Sequence, residues 1–277
     1  MYNRFGKRFI YAVLIIYCSF NLFSFLWLFS NSLKGQAELF TSGPWALPKE
    51  MLWKNYSNAW KIGNIGRYML NSVYVTGTTT IVTLMLASMG AYILGRVNFK
   101  LSRAVLAFFM FAMMLPPFMI AVPLFDILQH LNLLNNLNGL ILVYIAKQLP
   151  LNIFVLTSFY KNLPLDLEEA AYIDGASPVR TFAKVMMPLT FSAVVACGII
   201  NVLNIWNEFL FGLILLSNRR VFTLPIGIFY LSQAADYSSS WNTLFAGMLM
   251  SVVPVLILFA LFQKQFATGV SQGALKM

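Results

Sequence analysis

Apolar residues run along this chain for about twenty positions at a time, and polar residues gather between the runs. Six runs stand out, at roughly 9–30, 68–94, 103–123, 138–159, 188–216 and 243–263. Each is long enough to cross a bilayer as a helix, which takes about 20 residues. The apolar positions are continuous and do not alternate, which predicts helices and not the ten-residue strands of a membrane barrel. The expected class is an all-α membrane protein with six transmembrane helices. The first run has a basic start (Arg4, Lys7, Arg8) and small residues at Ser30-Asn31-Ser32, as a secretory signal does. Its length exceeds the roughly 7–15 residues of a signal core, so a retained helix is expected.

Composition agrees. Of 277 residues, 59% are hydrophobic and only 10% charged, where a soluble domain carries about 25%. That is too little charge to coat a globule of this size. The net charge of +10 suits attraction to an anionic inner leaflet. No basic stretch is interleaved with aromatics in a soluble module, so nucleic acid is not an expected partner. Lys and Arg gather at the N-terminus, in 95–102 (Arg96, Lys100) and in the C-terminal tail (Lys264, Lys276); 124–137 holds Asp126 and His130 and neither Lys nor Arg. The positive-inside rule then places both termini in the cytoplasm. The segment 31–67 carries five basic residues and argues the other way, but its length weakens the rule there. Cys18 and Cys197 lie inside apolar runs and read as buried free thiols. With one His and no Cys/His cluster, no metal site is expected.

The polar stretch between the fourth and fifth runs is the most informative. Asp166 is placed to cap a short helix through Ile173, with Glu168 and Glu169 at its positive end. Ala170 and Ala171 favour helix and leave a partner room to approach. Gly175, after Asp174, can take the left-handed conformation that ends the helix. Ser177 then caps a second helix with Pro178 at its first position, and Pro188 marks the start of the fifth run. The expected unit is helix, turn, helix.

Glu169-Ala170-Ala171, Gly175 and Val185-Met186-Met187-Pro188 follow the spacing E-A-A-x3-G-x9-[IV]-x-[LM]-P. This resembles the cytoplasmic loop of the membrane subunits of bacterial ABC importers, with Val185 and Met187 where Ile and Leu are usual. Other strings resemble the carbohydrate branch of that family: Ser32-Leu33-Lys34, Leu47-Pro48, Asn55-Tyr56, Asn71-Ser72, Trp206-Asn207-Glu208-Phe209-Leu210, and a tail from Phe262 through Thr268-Gly269 to Lys276. They cover nearly the whole chain in order. The resemblance implies the type I importer permease fold, with 160–187 as the coupling loop that grips an ATPase subunit. Glu168, Glu169, Ala170, Ala171, Asp174, Gly175, Ser177, Pro178 and Pro188 would serve that contact. It further implies a second, similar permease chain, two ATPase subunits that bind ATP and Mg, and an extracytoplasmic sugar-binding protein. The location would be the bacterial inner membrane. The division expected is 1–67 (tail, first span, outer segment), 68–263 (core permease) and 264–277 (cytoplasmic tail).

Polar residues within the runs are candidates for a pathway, since a lipid-facing charge costs from about 2.5 kcal/mol upward. Tyr144, Lys147, Gln148 and Asn152 share one helical face, as do Asn201, Asn204 and Glu208. Amides, hydroxyls and aromatic faces suit a sugar; packing between helices is the other reading of the amides. Glu208 reads either as fixing the outer end of the fifth run or as pairing with a neighbouring subunit. Pro116-Pro117 and Pro123 are expected to interrupt the third run. Arg219, Arg220, Asp236 and Trp241 fall in an expected outer loop that would meet the binding protein, or be merely solvated. No G-x4-G-K-[ST] and no Gly-x-Ser-x-Gly occurs, so no catalytic residue and no bound cofactor is expected of this chain. The function expected is one half of an ATP-driven translocation pathway for a sugar, of oligosaccharide size. The alternatives are a permease for another solute such as glycerol phosphate, favoured by the cation at Lys147, and a membrane scaffold.

Overall fold

The computed structural model describes residues 4–43, 45–238 and 240–274, and these contain helices joined by short turns. Pro44, Ser239, Leu275 and Lys276 lie outside the described residues. In chain order the helices are α1 (Arg4–Ser32), α2 (Gln36–Thr41), α3 (Lys54–Lys61), α4 (Ile65–Arg96), α5 (Ser102–Met113), α6 (Pro117–His130), α7 (Leu137–Lys161) and α8 (Asp166–Ile173). They continue with α9 (Pro178–Leu189), α10 (Phe191–Trp206), α11 (Leu210–Leu215), α12 (Leu224–Ser238) and α13 (Trp241–Ala274).

Four are long and apolar enough to span a membrane: Gly6–Ser32, Ile65–Arg96, Leu137–Lys161 and Trp241–Gln263. Two further spans arise only if each bent pair of helices counts as one. The third expected run is such a pair, α5 and α6, bent by 102°. Pro116 is extended (ψ 134°) and Pro117 opens α6 at N1, where its missing N–H costs nothing. Pro123 does not interrupt anything; it sits inside α6. The fifth run is not the continuous 188–216 expected. Pro188 belongs to α9, which meets α10 at a 74° bend, and α10 stops at Trp206 before the short α11. The expected outer loop after it is largely helical, as α12.

The chain divides into two compact units. One comprises residues 1–67 and 227–254. In it Asn55 Nδ2 donates to the carbonyls of Ser32 (2.8 Å) and Lys34 (3.0 Å), and Asn242 Nδ2 donates to Asn55 Oδ1 (3.1 Å). Tyr56 Oη pairs with Ser32 Oγ at 2.7 Å. The two strings Ser32-Leu33-Lys34 and Asn55-Tyr56 are therefore one hydrogen-bonded unit. It satisfies carbonyls that the end of α1 would otherwise leave orphaned. The Lys34 side chain is buried there and donates to Asn31 Oδ1 at 2.9 Å. Cys18, expected to be buried, is exposed on α1.

The other unit comprises 68–226 and 255–277. Its core joins Ala87, Ala91, Tyr92 and Leu94 of α4 with Ile153, Leu156 and Tyr160 of α7, Met186 of α9 and Ala193, Val194 and Cys197 of α10. Small residues on α4 let the helices approach closely, as membrane packing favours. At Gly95 a Cβ would come 3.1 Å from Tyr160 Cβ and 3.2 Å from the Thr157 carbonyl, so α4 lies directly on the backbone of α7.

Candidate functional site

Two constructions in the second unit carry the expected chemistry. The first is the helix–turn–helix. α8 begins at Asp166 itself, with Leu165 at the N-cap and no side-chain cap, so Asp166 does not cap it. Its end is as the sequence suggests. Gly175 has φ +76°, its N–H bonds to the Tyr172 carbonyl (3.0 Å), and the Ala176 N–H bonds to the Ala171 carbonyl (2.9 Å). This paired arrangement satisfies the last carbonyls of the helix. Ser177 Oγ accepts from the Arg180 N–H at 3.4 Å and Pro178 stands at N1 of α9. A π turn over Phe182–Met186 follows before Met187 and Pro188.

The face of α8 splits its acids. Glu169, Ala170 and Asp174 are exposed. Glu168 and Ala171 are buried. Glu168, grouped in the sequence with residues for a partner, points inward to Arg96, with Nε to Oε2 at 3.0 Å. Ile173 (85% exposed) and Val179 (77% exposed) flank the turn as bare apolar side chains. Sequence reasoning missed both, and it treated Arg96 only as a topology charge.

The second construction is a cavity of about 800 Å³ within the same unit. Lys147, Gln148, Asn204, Asn207 and Glu208 line it together with Phe211 and the broken ends of α5 and α6 at Met113, Leu115 and Pro117. Of the polar residues expected to form a pathway, the structure brings Lys147, Gln148, Asn204 and Glu208 to this wall. Asn207 joins them unforeseen. Glu208 organises the site. The chain leaves helical geometry after Trp206, and Glu208 accepts from the N–H groups of Phe211 (3.1 Å) and Gly212 (3.3 Å), closing the start of α11. It also accepts the Tyr144 hydroxyl and lies 4.0 Å from Lys147 Nζ. Lys147 Nζ sits 5.1 Å above the Phe211 ring, a cation–π arrangement. Glu208 is thus internal to this chain, fixing a break in the fifth run. Tyr144 is buried at this junction, while Asn152 and Asn201 are buried against each other.

Arg219 and Arg220 are exposed on a single tight turn, whose backbone is held by Asn71 Nδ2 donating to the carbonyls of Arg220 (3.1 Å) and Phe222 (2.9 Å). Asp236 is exposed on α12, and Trp241 opens α13, half-buried.

Broken spans around a largely apolar cavity with one polar patch, together with a pinned helix–turn–helix, suit a membrane permease. The comparisons specify which kind. A family model described as the binding-protein-dependent transport system inner membrane component matches residues 87–272. The diacetylchitobiose uptake system permease protein NgcG of Streptomyces coelicolor is 38% identical over 266 residues, covering 96% of this chain and 88% of that protein. The trehalose transport system permease protein SugB of Mycobacterium tuberculosis is 30% identical over 251 residues, covering 91% of each. Among solved structures, a bacterial ABC transporter involved in import of the acidic polysaccharide alginate matches with a TM-score of 0.81. That match covers 95% of this chain and 98% of the other at 22% identity, a likeness of fold. The chain belongs to the binding-protein-dependent transport system inner membrane component family: it is a multi-pass inner-membrane permease subunit with the type I importer fold.

Proposed function

We propose that this subunit forms half of the translocation pathway for a carbohydrate of oligosaccharide size and couples it to ATP hydrolysis through residues 160–187. The observation that carries the reading is the tip of the helix–turn–helix. Glu169, Ile173 and Val179 are exposed there while α8 is anchored inward at Glu168 and Ala171 and α9 at Thr181. A rigid, partly apolar knob with an acid beside it is what a docking surface on a soluble subunit needs. The partners are a second, similar permease chain, two ATPase subunits that hold ATP and Mg, and an extracytoplasmic sugar-binding protein, with both termini of this chain in the cytoplasm. Arg219, Arg220, Asp236 and Trp241 are the surface residues assigned to the binding protein.

A carbohydrate is supported by the relatives, whose names include diacetylchitobiose and trehalose, and by the cavity wall. Asn204 and Asn207 are exposed and supply amide donors and acceptors, and the half-buried Phe209 supplies aromatic surface. Lys147 would favour an anionic solute if it stood alone, but Glu208 4.0 Å away offsets its charge. The test is co-purification: Glu169→Lys reverses one exposed charge and should lose the ATPase subunits while the membrane subunits stay assembled. Wild-type amounts of ATPase on the mutant would overturn the docking assignment.

A further inference from the structure

We infer that Arg96 and Glu168 form a buried strut that makes the docking loop move as one body with α4 and α7, and that Glu168, unlike its neighbour Glu169, contacts no partner. The inference rests on the docking role proposed for residues 160–187.

The loop hangs from α7 by four non-helical residues, 162–165. A linker of that length could pivot, and a push on α8 would then be absorbed there. One guanidinium closes the pivot. Arg96 Nη1 donates to the carbonyls of Leu163 (2.8 Å) and Tyr160 (3.4 Å), and Nη2 donates to that of Pro164 (3.1 Å). Nε donates to Glu168 Oε2 at 3.0 Å. The Leu163 and Pro164 carbonyls lie beyond the end of α7, where no further helical turn follows, and the Tyr160 carbonyl, which also accepts the Leu163 N–H (3.2 Å), lies at it; a cation suits that negative helix end. The fourth bond crosses the linker onto α8. The planar fork of Arg can hold all four directions at once; a Lys ammonium cannot.

The pair is shielded from water, with side chains 4% and 11% exposed. Charge-assisted bonds in such a setting are strong when satisfied and costly when broken. The close approach at Gly95 is what brings Arg96 into reach of the end of α7. The second limb is tied to the same place. Tyr92 of α4 packs on Tyr160 of α7 (5.6 Å between centroids) and on Phe182 of α9 (5.2 Å). Both limbs of the loop are therefore fixed to α4, α8 by an ion pair and α9 by aromatic contact. Displacement of the loop must pass to α7, which carries Tyr144, Lys147 and Gln148.

The experiment uses the assembled transporter in proteoliposomes with its ATPase and loaded binding protein. Glu168→Ala should retain wild-type amounts of ATPase. It should lower uptake and binding-protein-stimulated ATP hydrolysis by about two- to thirtyfold, the range for residues that carry coupling, and leave unstimulated hydrolysis in place. Arg96→Lys should show the same split more mildly. Glu168→Gln, which keeps size and acceptor and drops the charge, covers the case in which Glu168→Ala fails to assemble. For that variant, faster amide exchange across 162–175 than in wild type is expected. Loss of the ATPase in Glu168→Ala or Glu168→Gln would make Glu168 a docking residue and overturn the strut. Full stimulation in both, with unchanged exchange, would reduce the pair to local packing and overturn it too. Glu169→Lys measured alongside separates the two ideas, since its retention of the ATPase would count against docking while the coupling split at Glu168 still decides the strut.

Discussion

Asn152 and Asn201 exchange both amide hydrogen bonds across the α7–α10 contact. Asn152 Nδ2 donates to Asn201 Oδ1 at 2.9 Å, and Asn201 Nδ2 donates to Asn152 Oδ1 at 3.2 Å. Both are essentially fully buried. Asn152 also donates to the Gln148 carbonyl one turn back at 2.7 Å. Two amides that complete one another leave little for a solute to bind. They act as the packing partners that polar side chains often are between membrane helices.

Removing both should therefore cost less than the two single removals added together. Asn201→Leu leaves Asn152 with a buried amide oxygen and no partner, at about 1–2 kcal/mol. The double variant Asn152→Leu/Asn201→Leu should lose less than the sum of the singles. Thermal unfolding of the purified complex checks this, and strict additivity would show that the amides do not depend on each other.

Gly175 makes a different kind of prediction. Nothing lies within 4 Å of a Cβ built there, so the cost of a side chain is not steric. It comes from φ +76°, which burdens an L-residue by roughly 1–2 kcal/mol and burdens Asn less. Gly175→Asn should fall between wild type and Gly175→Ala when protease cleavage at residues 173–178 is timed. Indistinguishable Ala and Asn variants would mean that the turn is not held in the left-handed conformation.

Helix class, the apolar runs and the helix–turn–helix were legible because each rests on local chemistry: run length, Gly175, and Ser177-Pro178. The breaks were only half legible. Pro116-Pro117 announces its bend, because proline fixes φ and lacks an N–H. The break at Asn207–Phe209 has no such marker. It exists because Glu208 captures two N–H groups and Asn207 Nδ2 donates back to the Leu203 carbonyl at 2.8 Å. Those are tertiary choices that an apolar count cannot see. The same limit explains Glu168. Two adjacent acids look alike in sequence, and only the position of Arg96, 72 residues earlier, turns one inward. Tyr144, Lys147 and Gln148 could be read as one face from helical spacing. Their meeting with Glu208 depends on how α10 ends.

Orientation is testable by labelling. In a background lacking Cys18 and Cys197, Arg4→Cys and Gln272→Cys should react with an impermeant thiol reagent only from the cytoplasmic side. Leu131→Cys, at an exposed position just past α6, should react only from outside. Reversal at any site would overturn the expectation that basic ends stay inside.

The pair Lys147 and Glu208 should respond asymmetrically. Lys147 keeps 36% of its side chain exposed toward the cavity, while Glu208 keeps 7%. Removing the lysine leaves Glu208 with the Tyr144 hydroxyl and two backbone N–H groups, so the carboxylate remains satisfied. The unbranched Met side chain can still rest on Phe211. Lys147→Met leaves the buried Glu208 charge without its cation but still hydrogen-bonded, so it should cost less than removal of the acid, and assemble with its partners. Removing the acid strands a buried hydroxyl, a half-buried ammonium and the start of α11 together. Glu208→Ala should cost about 3–5 kcal/mol, as breaking a buried pair does. Thermal unfolding of both variants decides the order, and equal losses would show that Glu208 is not the hub of this wall. Uptake assays then separate structure from transport. If the cavity is part of the pathway, Lys147→Met should change uptake or substrate-stimulated ATP hydrolysis in a complex that is otherwise normally folded. Unchanged transport would leave Lys147 as no more than a neighbour of Phe211 and Glu208.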